Sequence, residues 1–283
     1  MNYINELKRA IDYIEENLDK NINFEIVAKE VGMSAFYFHR IFSAVIGISP
    51  TTYIRNRRLT VAAQEISKNN DNILDIALKY GFESHEAFSR AFKSFHGVVP
   101  KLAKVNGNEL KNYSKVDIDC EFNSIASNKV LNYRIEDKDN FIVAAVFRNF
   151  NLDKKNEIPE FWKEVKKDGT LQKLSDNYTK NTLGICIGTQ NVFEYQYGIG
   201  REIEESEDID GIKSELRMKV VEIPKCSWVV FKCEGQDEKD INELWTRIYK
   251  EFFITTTYKQ CMDIDFELYD DKDTEIWIPI SKE

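Results

Sequence analysis

The sequence has no long apolar stretches. The longest, FIVAAVF at 141–147 and WVVF at 228–231, fall far short of the roughly 20 residues that cross a bilayer. Charged residues recur from Glu6 onward, so the N-terminus lacks the basic-then-apolar pattern of a secretory signal. With 42% apolar and 31% charged residues, the chain is expected to fold as a soluble protein and to stay in the cytoplasm.

Cysteine and histidine are scarce and show no metal-binding spacing. The five cysteines form no C-x-x-C pair, and the three histidines show neither H-E-x-x-H nor zinc-finger spacing. There is also no glycine-rich phosphate loop. The sequence therefore predicts free thiols, no metal site and no cofactor. The residues concerned are Cys120, Cys186, Cys226, Cys233, Cys261, His39, His85 and His96.

The net charge of −9 is unevenly divided along the 283 residues. Residues 1–105 contain 14 Lys and Arg against 12 Asp and Glu, whereas 106–283 contain 25 against 36, giving +2 and −11. Together with a length beyond that of one average core, this division predicts two domains. The polar text from about 106 to 130 predicts a linker between a domain at 1–105 and one at 131–283.

The N-terminal domain shows helical periodicity and an internal repeat. Residues 26–50 align with 76–100, pairing Phe38 with Phe88 and Arg40 with Arg90 at a constant offset of 50. Each copy predicts a short helix, a glycine turn, and a second helix that begins at a capping serine, Ser34 or Ser84. This arrangement is the helix-turn-helix unit, so an all-α domain with two such units is predicted.

The second helix of each unit carries polar and basic residues opposite its apolar stripe. Such groups reach base edges and phosphates, although an ordinary solvated face is the alternative. A helix at 51–67, about 25 Å long, separates the units and suits neighbouring major grooves. The candidate DNA-binding residues are Phe36, His39, Arg40, Ser43, Arg55, Arg57, His85, Glu86, Ser89, Arg90 and Lys93.

Specific motifs in this domain resemble the DNA-binding domain of AraC-type transcription regulators. They include F-x-R-x-F at Phe38 to Phe42, G-x-S-P-x-x-Y-I-R-x-R-R-L at Gly47 to Leu59, and I-A-x-x-Y-G-F-x-S at Ile76 to Ser84. The resemblance implies double-stranded DNA as a partner, with the second helix of each unit as the recognition element. RNA polymerase is a further candidate partner.

The C-terminal domain alternates strand and helix patterns twice. The order strand, helix, strand, strand begins at 141–150 and recurs from 216–233 onward, and EFWKEV at 160–165 resembles ELWTRI at 243–248. An α+β domain built from two β-α-β-β repeats is predicted, with a groove between the repeats. Aromatic residues and two glutamates are candidates to line it: Tyr195, Tyr197, Trp228, Phe266, Glu267, Tyr269, Glu275 and Trp277.

This domain resembles the GyrI-like effector-binding domain. The similarity rests on I-P-x-C-x-W-x-V-F-x-C-x-G at Ile223 to Gly235, F-E-x-Y at Phe266 to Tyr269 and E-I-W-I-P-I at Glu275 to Ile280. The resemblance implies a small amphipathic ligand, cationic or aromatic, bound on an aromatic floor with a Glu. Which of Glu267 and Glu275 faces that floor stays open at this point.

The sequence thus predicts a one-component bacterial transcription regulator that needs no catalytic step. Two alternatives remain: a small-molecule hydrolase with Glu267 or Glu275 as general base, and a module that sequesters a protein partner. The hydrolase is disfavoured because all three histidines lie in the DNA-binding half. The operator, the effector, the direction of regulation and the oligomeric state do not follow from the sequence.

Overall fold

The computed structural model divides the chain into two compact units, Tyr3–Ile125 and Ala126–Glu283. It describes residues 3–68, 72–104, 110–119, 131–154, 157–170, 182–204, 206–207, 209–215, 218–233, 235, 237–270 and 273–282. No helix in these ranges is both long enough and apolar enough to cross a membrane.

The first unit is helical, as predicted. Its α-helices are α1 (Tyr3–Glu16), α2 (Phe24–Glu30), α3 (Ala35–Ile46), α4 (Pro50–Lys68), α5 (Ile73–Lys79) and α6 (His85–His96). A 3-10 helix follows at Pro100–Lys104. The pairs α2–α3 and α5–α6 are the two predicted helix-turn-helix units, and α4 connects them.

The start of each second helix is fixed by a serine cap. The hydroxyls of Ser34 and Ser84 each accept a hydrogen bond of 3.1 Å from a backbone amide one turn into the helix. Gly32 and Gly81 occupy the turns with a φ of 76°, a left-handed conformation that costs glycine little. The repeat therefore produces the same turn twice.

Both predicted apolar stripes face the interior. Phe38, Phe42, Phe88 and Phe92 are fully buried, and the latter two pack in one cluster with residues of α4 and α5. Burying each such side chain contributes on the order of 2 kcal/mol to the stability of the fold. The two apolar stripes therefore hold both helix-turn-helix units against α4.

Part of the predicted linker packs on the helical unit. Residues 105–109 and 120–130 lie outside the described residues, but 110–119 run along α1 and α4. Ile118 is only 3% exposed, the amide of Tyr113 donates to Oγ1 of Thr60, and Lys115 forms an ion pair with Asp12. The polar composition hid these contacts, since hydrogen bonds and ion pairs make most of them. We call residues 110–119 the strap.

The second unit is a nine-stranded sheet with helices. Its strands are β1 (Tyr133–Lys138), β2 (Phe141–Asn151), β3 (Thr182–Gly188), β4 (Glu194–Ile203), β5 (Lys219–Ile223), β6 (Cys226–Cys233), β7 (Tyr258–Gln260), β8 (Ile264–Tyr269) and β9 (Thr274–Lys282). Its helices are α7 (Ile158–Lys167), α8 (Ile209–Glu215), α9 (Glu238–Arg247) and α10 (Phe253–Thr255), with a π-helical turn at Ile248–Phe252.

The predicted α+β fold with two β-α-β-β repeats is confirmed. The repeats are β2-α7-β3-β4 and β6-α9-β8-β9. Two details differ from the sequence prediction. The strand predicted at 216–233 is two strands divided at Pro224, because proline lacks the N–H that a continuing ladder needs. The short strands β1 and β7 were not predicted.

The two repeats are arranged symmetrically in the sheet. Eight strands follow the order β1-β6-β9-β8-β3-β4-β2-β5, and the ninth, β7, pairs with β9 outside this order. From either end of the order, an outermost strand is followed by the first, third and second strands of one repeat. All its pairings are antiparallel, with β3 and β8 at the centre. The outermost strands are exchanged: β1 precedes β2 in the chain but pairs with β6, and β5 precedes β6 but pairs with β2.

This exchange bends the sheet round one of its faces. Only Asp139 and Asn140 join β1 to β2, although these strands are first and seventh in the order. The ends of the sheet must therefore approach each other, and Nζ of Lys138 lies 3.0 Å from Oε2 of Glu202. The enclosed inner face holds an apolar cluster that includes Trp228, Phe266 and Trp277. The opposite, outer face carries α7 and α9.

Candidate functional site

The predicted DNA-contacting face of α6 is open. His85, Glu86, Arg90 and Lys93 are exposed, and Ser89 is partly exposed. The helix meets the core through Phe88 and Phe92, which lie on its opposite side. This face of α6 can therefore enter a DNA groove without breaking the contacts that hold the helix to its core.

The matching face of α3 differs from the prediction at its first turn. Phe36 and His39 are buried, with 6% and 5% of their surface exposed, so neither is placed to read bases. The His39 ring packs edge-on against Phe24 of α2, 5.5 Å between centroids. Arg40 is partly exposed, and its guanidinium lies 5.4 Å from the centre of the Phe36 ring. Ser43 is partly exposed as a residue, but its hydroxyl oxygen is buried, so the prediction of Ser43 as a DNA contact is not supported by its position.

The three arginines at the start of α4 have different environments. Arg55 is exposed, as a phosphate contact requires. Arg57 instead bonds both carboxylate oxygens of Glu15, at 2.8 and 2.7 Å, and also donates to the carbonyl of Tyr113. Arg58 donates to the backbone carbonyl of Leu18 at 2.9 Å.

The prediction of Arg57 as a DNA contact is therefore not supported by its position. Its hydrogen bonds to Glu15 raise the pKa of Arg57, so the guanidinium remains charged while it joins α1, α4 and the strap. The sequence could not distinguish this role, because an arginine run has the same appearance whether it faces solvent or a carboxylate.

On the outer face of the second unit, Glu267 is the centre of an aromatic cluster. Its Oε2 accepts hydrogen bonds from the hydroxyls of Tyr197, at 2.9 Å, and Tyr269, at 2.8 Å. Its Oε1 accepts from the indole N–H of Trp245 at 2.7 Å. Trp162 completes the cluster by donating to the Tyr197 hydroxyl at 3.0 Å. We call these five residues the Glu267 cluster.

The electrostatics of the cluster keep its hydroxyls protonated. Burial first, and the Glu267 charge second, raise the pKa of both Tyr197 and Tyr269. Every hydrogen bond to the carboxylate comes from a neutral donor, and within the described residues no lysine or arginine forms an ion pair with it. The cluster therefore presents an uncompensated negative charge among aromatic rings.

A glycine makes this arrangement possible. Gly184 of β3 pairs directly with Glu267 of β8, and Tyr197 of β4 passes over it to reach the carboxylate. A Cβ atom at Gly184 would lie 2.1 Å from the Tyr197 hydroxyl and 3.1 Å from Oε2 of Glu267. Only a residue without a side chain leaves room here.

The two repeats contribute equivalent positions to the cluster. Trp162 on α7 and Trp245 on α9 are 83 positions apart, and so are Gly184 and Glu267. The latter pair lies at the centre of the symmetrical strand order. The site therefore has one carboxylate because the equivalent position of the first repeat is glycine.

The two tryptophans were missed as candidates by the sequence analysis. Both are partly exposed, and each stands in the similar helix text EFWKEV or ELWTRI. That similarity was used only as evidence of duplication. Since equivalent helices flank the same central strands, it could also have placed both indoles at one site.

Four of the predicted ligand-binding residues lie on the inner face instead. Neighbouring residues of a strand point to opposite sides, so Phe266 faces inward because Glu267 faces outward. Trp277 stacks on Phe266 at 5.4 Å, and Trp228, fully buried, packs 5.0 Å from the same ring. These aromatics form the core of the unit. Tyr195 lies on the outer face, stacked on Phe150 at 5.7 Å.

Glu275, the fourth of these residues, already has a cationic partner. Its two oxygens accept from the guanidinium of Arg134 at 2.7 and 2.8 Å, and Trp277 donates to it at 3.1 Å. A carboxylate in a bidentate ion pair has little charge left to offer a ligand. The two candidate glutamates therefore differ, and Glu267 is the one in an aromatic site without a cation.

No group of three or more His, Cys, Asp or Glu side chains in the described part of the chain is arranged to hold a metal ion.

Two family models match the chain. Residues 134–280 match the family described as integron-associated effector binding protein, and residues 27–103 match a helix-turn-helix domain.

Curated relatives match the N-terminal unit. The TetD protein of transposon Tn10 from Escherichia coli is 41% identical over 100 residues, which cover 35% of this chain and 72% of that protein. The multiple antibiotic resistance protein MarA of Escherichia coli K12 is 38% identical over 90 residues, covering 32% and 71%.

Among solved structures, the second unit is similar to SAV2435 bound to tetraphenylphosphonium, with 18% identity and a TM-score of 0.46 over 53% of this chain and 94% of that one. From its two family matches, the chain combines an AraC-type DNA-binding domain with a GyrI-like effector-binding domain, and it belongs to the family of integron-associated effector binding proteins.

Proposed function

We propose that the second unit senses a small amphipathic cation at the Glu267 cluster, and that this binding regulates transcription through the two helix-turn-helix units. The observation that supports it is the Glu267 carboxylate, which is held by three neutral donors among aromatic rings. No catalytic step is part of this function.

The chemistry of the cluster favours a cation over other ligands. A cation over the face of an aromatic ring gains about 0.5–2 kcal/mol, and a partly desolvated carboxylate adds Coulomb attraction. A neutral ligand gains neither, and an anion is repelled. Because Tyr197, Tyr269 and Trp245 fix both oxygens in place, little reorganisation opposes binding.

DNA reading is assigned to the exposed residues of α3, α4 and α6. The exposed residues are Arg55, His85, Glu86, Arg90 and Lys93, and the partly exposed Arg40 and Ser89 are assigned with them. Effector binding changes transcription only if the ligand binds more tightly to one of two arrangements of the protein. RNA polymerase is a candidate partner of the DNA-bound form, and a regulator of this kind acts in the cytoplasm.

The geometry does not favour the hydrolase alternative. A general base must accept a proton from water, whereas protein donors already take three of the about four acceptor sites of the Glu267 carboxylate. Glu275 is occupied by Arg134. No contact in the described residues specifically favours a protein partner.

Calorimetry with two ions of the same shape and opposite charge tests the proposal. Tetraphenylphosphonium is expected to bind the full chain, and tetraphenylborate to bind at least 10-fold more weakly. Glu267→Gln should reduce the affinity for the cation by roughly 10-fold, or about 1.4 kcal/mol. Glu275→Gln is the matched control and should leave that affinity unchanged.

Two results would contradict the proposal. Equal affinity for both ions would mean that the site selects shape and not charge. A Glu267→Gln variant that keeps its circular dichroism spectrum and its full affinity would mean that the cation binds elsewhere.

A further inference from the structure

Two cysteines of the second unit are in direct contact. The Sγ atoms of Cys226, at the start of β6, and Cys261, between β7 and β8, lie 3.3 Å apart. Cys261 is exposed and Cys226 is partly exposed, so small molecules in solution can reach the pair. No sequence motif predicts this contact, because 35 positions separate the two residues.

The backbone holds both cysteines at one end of β9. Ser227, next to Cys226, pairs with Ile280, and Gln260, next to Cys261, pairs with the same residue. The amide of Cys261 also donates to the carbonyl of Pro279 at 3.2 Å. Since one strand anchors both segments, the sulfur contact is a property of the fold and not of two mobile side chains.

We propose that Cys226 and Cys261 form a dithiol site that hydroperoxides oxidise to an intramolecular disulfide. The sulfurs need to close by about 1.2 Å to reach the usual S–S bond length of about 2.05 Å. The other two described cysteines lie elsewhere: Cys186 faces outward on β3, and Cys233 is buried at the far end of β6.

The oxidation proceeds in two balanced steps. The sulfur of Cys261, the more exposed of the two, attacks the outer oxygen of the hydroperoxide, which forms a sulfenic acid and releases an alcohol, or water in the case of hydrogen peroxide. The Cys226 sulfur then attacks the sulfenic sulfur, the S–S bond forms and water leaves. Overall, two thiols lose two electrons to the hydroperoxide.

The environment of the pair sets its reactivity. Burial first, and the Cys226 sulfur second, raise the pKa of Cys261 to about 12. Cys261 therefore rests as a thiol, and it reacts more slowly than a sensor cysteine with a low pKa. Its advantage is proximity, because the second thiol meets the sulfenic acid before further oxidation occurs.

Mass spectrometry of the full chain tests the site. In a background with Cys120→Ser, Cys186→Ser and Cys233→Ala, hydrogen peroxide should lower the intact mass by about 2 Da, and a thiol reductant should restore it. The same background with Cys261→Ser should instead gain about 16 Da or multiples of it. Peptide mapping of the oxidised wild-type chain should find one disulfide-linked peptide pair, 226 with 261.

The proposal is overturned if the two-cysteine protein gains oxygen instead of losing two hydrogen atoms, or if it forms covalent dimers on a non-reducing gel. It is equally overturned if the wild-type peptide map places the disulfide between other cysteines. The wild-type arm decides the matter where the substituted background does not fold.

Discussion

The hydroxyl of Tyr197, on β4, donates a 2.9 Å hydrogen bond to Glu267, on β8, across the intervening strand β3. This bond spans two strand spacings, which is possible because the tyrosine lies over Gly184. The glycine has an ordinary extended backbone, so its role is to leave space and not to supply an unusual turn.

Gly184→Ala should therefore weaken cation binding without unfolding the domain. The added methyl group would lie 2.1 Å from the Tyr197 hydroxyl, so the ring must shift and its bond to Glu267 must break. We expect a loss of affinity for tetraphenylphosphonium of roughly 5- to 10-fold, or about 1.0–1.4 kcal/mol, which is the net contribution of a typical hydrogen bond. Tyr197→Phe, which removes the bond but leaves the ring, is the comparison. Full affinity in both variants would show that Tyr197 does not shape the site.

Alkaline pH should destabilise the protein through its buried tyrosines. The pKa values of Tyr197 and Tyr269 are raised above the ordinary value of 10.0, so their stabilising effect is complete below pH 10 and is lost as the pH rises toward the folded-state values. The free energy of unfolding in urea should fall with each step above pH 10. In the wild-type protein, the tyrosinate absorbance of these two residues should appear only when the protein unfolds. Tyr197→Phe and Tyr269→Phe should each remove part of that absorbance change. Ordinary titration of both near pH 10 in the folded protein would contradict this.

Loss of charge should affect the stability of the protein at Arg57 and its DNA binding at Arg55, two positions apart on α4. Arg57→Met removes one partner of a mostly buried ion pair with Glu15 and should lower the free energy of unfolding by about 3 kcal/mol. Arg55→Met should leave stability unchanged but reduce the salt dependence of DNA binding by about one unit, if Arg55 contacts a phosphate. Urea denaturation and binding titrations at several salt concentrations measure both effects. A smaller salt slope for a stable Arg57→Met protein would restore Arg57 as a DNA contact.

Arg90 and Arg40 occupy matching positions on α6 and α3, and both are predicted to read bases. Replacing either with Ala should cost roughly 1–3 kcal/mol on an operator selected from random DNA, if the arginine makes a bidentate base contact. Lys93→Ala, on the same face as Arg90, should weaken selected and random DNA alike. If both arginine variants discriminate between selected and random DNA as well as the wild-type protein does, neither arginine reads bases.

The sequence was most informative wherever periodicity decides structure. The stripes of Phe38 and Phe88 predicted the α3 and α6 cores, because a helix buries the residues that repeat every three to four positions. The same rule failed at Phe36 and His39, since the first turn of α3 is buried on more than one side, with Tyr37 against Tyr3 and His39 against Phe24.

The proposed effector site, the Glu267 cluster, was predicted only in part, for a reason of strand geometry. Tyr197 was a candidate on its residue type, and Glu267 and Tyr269 also on their motif positions, but the same reasoning selected Trp228, Phe266 and Trp277, which form the inner core. Alternation along a strand separates two faces without saying which one is enclosed. Which face is enclosed follows from the short connections of β1 to β2 and of β5 to β6, and no local sequence pattern encodes it.

The exchange of β1 and β5 makes the two repeats mutually dependent. In a chain with only residues 133–203, β1 would have no strand to pair with, because its partner β6 belongs to the other repeat. An unpaired strand edge readily joins another chain. A half-length domain would thus complete its sheet most simply with a second copy of itself, giving a symmetrical homodimer with glycine at both positions that Gly184 and Glu267 occupy here. In these terms, joining two repeats in one chain is what allows the site to carry a carboxylate on one side only.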